Sequence, residues 1–132
     1  MDGIIFSPST GILTITLGRA LSPEEAASFA LELEGAVTAA LAREPRLRIL
    51  FDATRVPVQP LASFSPLARL KDVFPAPPMT AIVLGSNLAK LQANRGVTSS
   101  SVRTFLAMAE ARAWLDTADA GPGGDRRADI RR

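Results

Sequence analysis

The sequence predicts a single α/β domain with the element order β-β-α-β-α-β-α-β-α. Three observations support this: short segments that alternate apolar and polar residues, two helix starts marked by serine and proline, and a nearly continuous apolar segment at residues 79–84. Strands separated by helices imply right-handed crossovers. We therefore expect a mostly parallel five-stranded sheet with an antiparallel first strand and helices chiefly on one face.

The first two strands are predicted at residues 3–7 and 12–17, where they form an antiparallel hairpin. The intervening residues 8–11 read Pro-Ser-Thr-Gly, which is typical of a turn. In the second strand leucine and isoleucine alternate with threonine, so one face of the strand is buried and the other is more polar.

The first helix has the clearest start signal in the chain. Ser22 can cap the helix, Pro23 suits its first position, and Glu25 completes a capping box with Ser22. Apolar residues then recur at helical spacing as far as Leu41. The helix should end near residues 43–45, because a residue that precedes proline avoids helical geometry.

The remaining elements follow from the same signals. The run at residues 79–84 is typical of a central strand in a parallel sheet, because such a strand is buried on both faces. The other strands are predicted at residues 46–52 and 102–105; the other helices begin at Ser65, after the turn at residues 85–87, and at residue 107.

The domain is predicted to span residues 1–116. The following residues 117–132 are rich in Gly, Asp, Arg and Pro, and Ile130 is their only large apolar side chain. Such a segment cannot bury enough apolar surface to fold alone, so we expect a disordered tail.

The chain contains no histidine, cysteine or tyrosine. The commonest general base, the commonest thiol nucleophile and the soft metal ligands are therefore missing. We predict a non-catalytic protein without a cofactor or a metal site. Because there is also no signal peptide and no apolar run long enough for a membrane span, we expect a cytoplasmic protein.

The net charge of +2 does not indicate a nucleic-acid partner. Four of the 15 basic residues lie in the predicted tail, at Arg126, Arg127, Arg131 and Arg132. Phosphate binding requires a clustered basic patch, and the sequence of the predicted domain contains none.

Five segments of the chain together resemble a known family. They are residues 21–25, 47–52, 80–86, 102–105 and 110–115, and they follow the opening hairpin. Over residues 2–116 this pattern resembles the STAS domain, the fold of bacterial anti-sigma-factor antagonists. The resemblance implies a signalling domain that binds a partner protein of unknown identity. Edge strands and an exposed sheet face also suggest a homodimer.

The same resemblance implies a candidate phosphorylation site. Family antagonists are switched by phosphorylation of a serine at the start of the second helix, within an Asp-Ser-Ser/Thr-Gly motif. Residues 60–66 read Pro-Leu-Ala-Ser-Phe-Ser-Pro here, without the Asp-Ser pair or the glycine. Ser63 and Ser65 are the candidate sites, and helix capping is their alternative role. This departure favours a divergent member of the family.

A candidate partner or ligand surface lies where two parallel strands end, since ligands commonly bind at that edge. The alternative function is therefore binding of a small apolar or anionic ligand near the loop 53–65 and the turn 85–87. Local roles remain open: Asp52 can cap its own turn or pair with Arg55, and Ser86 or Asn87 can cap a helix. The apolar side chains of the loop can tuck beneath the second helix instead of forming an exposed patch. The candidate surface comprises Asp52, Thr54, Arg55, Val56, Val58, Leu61, Phe64, Ser86 and Asn87.

Overall fold

The computed structural model of the chain describes residues 3–19, 21–55, 74, 78–87 and 101–120. These residues form strands and helices in an α/β arrangement. The elements are β1 (Gly3–Ser7), β2 (Ile12–Thr16), α1 (Pro23–Arg43), β3 (Arg48–Ala53), β4 (Met79–Leu84), β5 (Val102–Phe105) and α2 (Met108–Ala120).

The five strands form one mixed sheet in the order β1-β2-β3-β4-β5. Strand β1 is antiparallel to β2, and every other neighbouring pair is parallel. The predicted five-stranded sheet with an antiparallel first strand is confirmed. Thr16 lies beside Asp52, and Asp52 beside Val83, so the carboxyl ends of β2, β3 and β4 align at one edge.

Helix α1 begins with the predicted capping box. The Ser22 hydroxyl accepts a hydrogen bond from the Glu25 backbone N–H at 3.1 Å, and the Glu25 carboxylate accepts one from the Ser22 N–H at 2.9 Å. These two bonds satisfy backbone donors that the first helical turn cannot pair internally. The helix ends at Arg43, two residues before Pro45, as the proline rule predicts.

Both faces of the sheet are covered by apolar contacts. Strand β3 shows this most clearly, since Ile49 and Phe51 face α1 whereas Leu50 faces α2. The core on the α1 side includes Leu13, Ile15, Leu33, Val37, Ile49, Phe51, Ile82 and Leu84; the core on the α2 side includes Ile12, Leu50, Ala81, Val83, Ala111 and Leu115.

The two described helices therefore lie on opposite faces. They do not confirm the predicted arrangement of helices chiefly on one face, which stays a prediction for the other two helices. Helix α2 follows the last strand of the described sheet, and no further parallel strand comes after it within the described residues, so no crossover of this kind fixes its side. It covers the face that would otherwise expose leucine and valine side chains. The helices predicted to begin at Ser65 and after residues 85–87 lie outside the described residues.

Helix α2 continues to Ala120, although the sequence predicted its end at residue 116. Four residues assigned to the tail are thus helical. Their sequence, Thr-Ala-Asp-Ala, contains neither glycine nor proline, and Gly121 and Pro122 follow immediately. Residues 121–132 lie outside the described part of the chain, so the disordered tail stays a prediction there.

A buried arginine in β3 connects the turn between β1 and β2 to helix α2. Arg48 is only 6% exposed, although it carries a positive charge. Its guanidinium donates hydrogen bonds to the carbonyl oxygens of Thr10 and Leu115, the latter at 3.2 Å, and lies 3.7 Å from Oδ1 of Asp116. These contacts compensate for the loss of hydration and attach the hairpin turn and α2 to β3.

Replacing this arginine should therefore destabilise the fold. Arg48→Met keeps most of the apolar stem but removes the donors to two carbonyl groups, and we expect the free energy of unfolding to fall by about 1–3 kcal/mol. Urea denaturation measures the difference. The control is Arg46→Met, because Arg46 is exposed two residues earlier and should change stability by less than about 0.5 kcal/mol. Equal effects of the two substitutions would contradict this role of Arg48.

Candidate functional site

The carboxyl edge of the parallel strands brings together the predicted site residues that the structure describes. The segments after β3 and β4 leave the sheet side by side, since Ala53 lies beside Leu84. A Cβ atom added to Gly85 would clash with the carbonyl oxygen of Thr54, so glycine permits this close approach. The residues placed at this edge are Asp52, Thr54, Arg55, Ser86 and Asn87.

The Asp52 carboxylate is directed to its own chain. Its Oδ1 atom accepts hydrogen bonds from the Thr54 backbone N–H at 3.0 Å and from the Thr54 hydroxyl at 2.7 Å. This pattern is a local aspartate turn, which was one of the roles that the sequence left open for Asp52. Asp52 therefore orders the chain where β3 ends.

The other described members of the predicted surface point outward. Thr54, Arg55, Ser86 and Asn87 are all exposed, and Asn87 already has helical geometry. Because these four side chains are exposed, a small molecule in solution can reach the carboxyl edge. The remaining predicted members, Val56, Val58, Leu61 and Phe64, and the candidate phosphorylation sites Ser63 and Ser65, lie outside the described residues.

A second surface, which the sequence analysis did not identify, lies between β1 and α1. It contains two clefts, one at each end of β1. The first cleft has a volume of about 300 Å³ and lies at the Gly3 end, with Glu25 and Glu32 on its helical wall. The second has a volume of about 240 Å³ and is lined by Phe6 and Arg43 near the other end, and Ile4 lines both clefts.

Charged side chains form the rim of the first cleft. The guanidinium of Arg19 binds both carboxylate oxygens of Glu25, with 2.9 Å between Nη1 and Oε1. The hydrogen bond from Arg19, followed by that from the Ser22 backbone, lowers the pKa of Glu25 from 4.5 to about 2. Glu25 is therefore ionised at neutral pH and acts here as a fixed negative charge.

The second cleft is mostly apolar. Ala36, Ala39 and Ala40 form its helical wall, so the space above Ile4 and Phe6 is not filled by large side chains. The Arg43 guanidinium carbon lies 5.7 Å from the centre of the Phe6 ring, within range of a cation–π contact. An apolar side chain from another molecule can occupy this cleft while Arg43 stays at its rim.

Strand β1 also exposes an apolar side chain on its other face. Ile5 is 70% exposed, although it lies at the centre of the strand. Ile4 and Phe6 pack partly against the core beneath α1, and alternation along the strand directs Ile5 to the opposite side. The consecutive residues Ile4, Ile5 and Phe6 were the sequence signal for a strand that is apolar on both faces.

No known protein-family model matches this chain, and no curated protein sequence matches it. Among the residues that the structure describes, no three metal-ligating side chains form a group that could hold a metal ion. Neither α1 nor α2 is long and apolar enough to cross a membrane. Within the described residues we consider two candidate sites: the carboxyl edge, and the β1 surface, which comprises the two clefts and the exposed side chain of Ile5.

The lowered pKa of Glu25 predicts a specific dependence of stability on pH. A carboxyl group whose pKa is lowered on folding stabilises the fold while it is ionised, and this contribution is lost as the pH falls through the folded-state pKa. We expect Glu25→Gln to be less stable than the wild type above pH 4.5, with a difference that shrinks as the pH falls toward about 2. Urea denaturation across this pH range measures the difference.

The matched control is Glu24→Gln, which removes a charge from the same helical turn but keeps the contact between Arg19 and Glu25. Its stability difference from the wild type should vary less over the same pH range. If both variants show the same pH profile, the ion pair with Arg19 is not the cause.

Proposed function

We propose that this chain is a STAS-like regulatory domain that acts without catalysis, through contacts with a protein partner and with itself. The observation that carries the proposal is strand β1, which lies at an edge of the described sheet. Ile5 is 70% exposed on one face of this strand, and its other face borders an apolar cleft of about 240 Å³. An exposed apolar side chain and an apolar cleft on the same strand both favour contact with another molecule.

The chemistry of a strand edge favours a polypeptide as the partner. Along an edge, backbone N–H and C=O groups of alternate residues point outward in a regular row. An extended chain can satisfy that row over its whole length, and its side chains can enter adjoining clefts. A small molecule can satisfy only one or two of these groups.

The regulatory part of the proposal depends on the resemblance to the STAS domain. The mixed sheet with one antiparallel edge strand and the capped start of α1 are compatible with that resemblance. The resemblance also implies a cytoplasmic signalling role. Phosphorylation of Ser63 or Ser65 stays a prediction, because both lie outside the described residues.

A photo-crosslinking residue at position 5 tests the proposed protein contact. We expect the full chain carrying p-benzoylphenylalanine in place of Ile5 to form a light-dependent covalent adduct with a protein in cells of the source organism. The adduct is detected as a band heavier than the free chain and identified by mass spectrometry. We expect this adduct because the exposed Ile5 side chain lies within the proposed contact surface.

The control is the same substitution at Arg112, an exposed position on α2. It should give no adduct, or only the weak and diffuse labelling of random encounters. Failure to form an adduct at position 5, or the same adducts at both positions, would argue against the proposed function.

The alternative function is binding of a small apolar or anionic ligand at the carboxyl edge. The observation that favours it is the exposure of four residues on two segments that approach each other closely at Gly85: Thr54, Arg55, Ser86 and Asn87. Arg55 would contribute positive charge to an anion, and hydroxyl and amide groups would contribute hydrogen bonds.

Thermal melting with inorganic phosphate and with a medium-chain fatty acid tests this alternative, because a ligand that binds the folded state raises the melting temperature. We expect Arg55→Ala and Asn87→Ala to lose any increase that the wild type shows, whereas Arg46→Ala keeps it. No increase in the wild type, or an increase that survives both site substitutions, would remove the alternative.

A further inference from the structure

We propose that the outer edge of β1 pairs with β1 of a second copy of this chain, antiparallel and centred on Ile5. The two sheets then join into one continuous sheet across a twofold axis. This inference rests on the proposed function, for which it specifies one contact surface and its occupant.

The first argument is the composition of the edge strand itself. Within the described residues β1 pairs only with β2, so its outer backbone groups face away from the sheet. Soluble proteins usually protect such edges with charged residues or proline. Strand β1 reads Gly-Ile-Ile-Phe-Ser and contains neither. The opposite edge strand, β5, carries the exposed Arg103, whose guanidinium lies over the rings of Phe105 and Trp114.

The second argument is that the strand is self-complementary about its central residue. An antiparallel pair centred on Ile5 places Ile5 opposite Ile5 of the second copy. It also places Ile4 opposite Phe6, and Gly3 opposite Ser7. Each apolar residue then faces an apolar residue on the same side of the joined sheet, and such cross-strand pairs stabilise a sheet. The strongly exposed Ile5 side chain becomes covered on the face away from α1.

The third argument is the distribution of charge beside the strand. Glu32 lines the cleft at the Gly3 end of β1, and Arg43 lines the cleft near Phe6. A twofold axis at Ile5 brings the Gly3 end of one copy to the Ser7 end of the other. Glu32 of each copy then faces Arg43 of the second copy, so the charges are complementary. A parallel pairing would instead bring like charges together, which selects the antiparallel arrangement.

The sequence allows a clean covalent test, because the chain contains no cysteine. In the full-length Ile5→Cys variant the two thiols would lie directly opposite each other at the twofold axis. We expect mild oxidation to give a disulfide-linked dimer on a non-reducing gel at protein concentrations where Leu31→Cys stays monomeric. Leu31 is the matched control, since it is 66% exposed on α1 and lines neither cleft.

A second variant tests the same contact without a covalent bond. Ile5→Lys places two like charges opposite each other and removes the contact between the isoleucines, so dimerisation should weaken about tenfold or more. Leu31→Lys should leave it unchanged. Analytical ultracentrifugation of purified full-length protein over a range of concentrations measures the dissociation constants. Circular dichroism and urea denaturation confirm that Ile5→Lys remains folded, as expected for an exposed side chain.

The outcomes separate this inference from the proposed function. A wild-type protein that stays monomeric, or a dimer that Ile5→Lys does not weaken, overturns the pairing of two β1 strands. If the photo-crosslinker at position 5 nevertheless captures a different protein, the proposed contact with a protein partner stands without the contact of β1 with a second copy, and the strand edge serves that partner. If position 5 gives neither a dimer nor an adduct, both proposals fail.

Discussion

The parallel register of β2, β3 and β4 is the constraint on which the rest of the structure depends. It sets Ile15 beside Phe51 and Phe51 beside Ile82, so one continuous apolar layer forms beneath α1. Because side chains alternate along a strand, a shift of one residue would turn each of these side chains to the other face. The same register places Leu50 beside Ala81 on the face that α2 covers.

This register also decides where function can reside. Parallel pairing brings the ends of β3 and β4 to one edge, where Thr54 and Gly85 come into contact. The antiparallel β1 lies outside the parallel strands and is covered by α1 on one face only, which leaves Ile5 exposed and two clefts beside the helix. The buried centre stabilises the fold, and among the described residues the outer edge of β1 has no partner strand.

Three charged residues have structural roles in the described part of the chain. Asp52 orders its own turn, Glu25 caps α1 and pairs with Arg19, and Arg48 holds the hairpin turn to α2. Each contact gives a charged group hydrogen bonds that offset its partial or complete loss of water. These observations are compatible with a domain that acts by contact.

Local sequence signals determined the strands, the capping box of α1 and the antiparallel hairpin, because short-range periodicity and capping chemistry fix those features. Tertiary structure alone decided that Arg48 is buried, since its acceptors, Thr10 and Leu115, lie 38 and 67 residues away in the chain. It likewise decided that α2 covers the face opposite α1 and that Ile5 stays exposed. Such features depend on contacts between segments that are far apart in the sequence, and local sequence patterns do not determine those contacts.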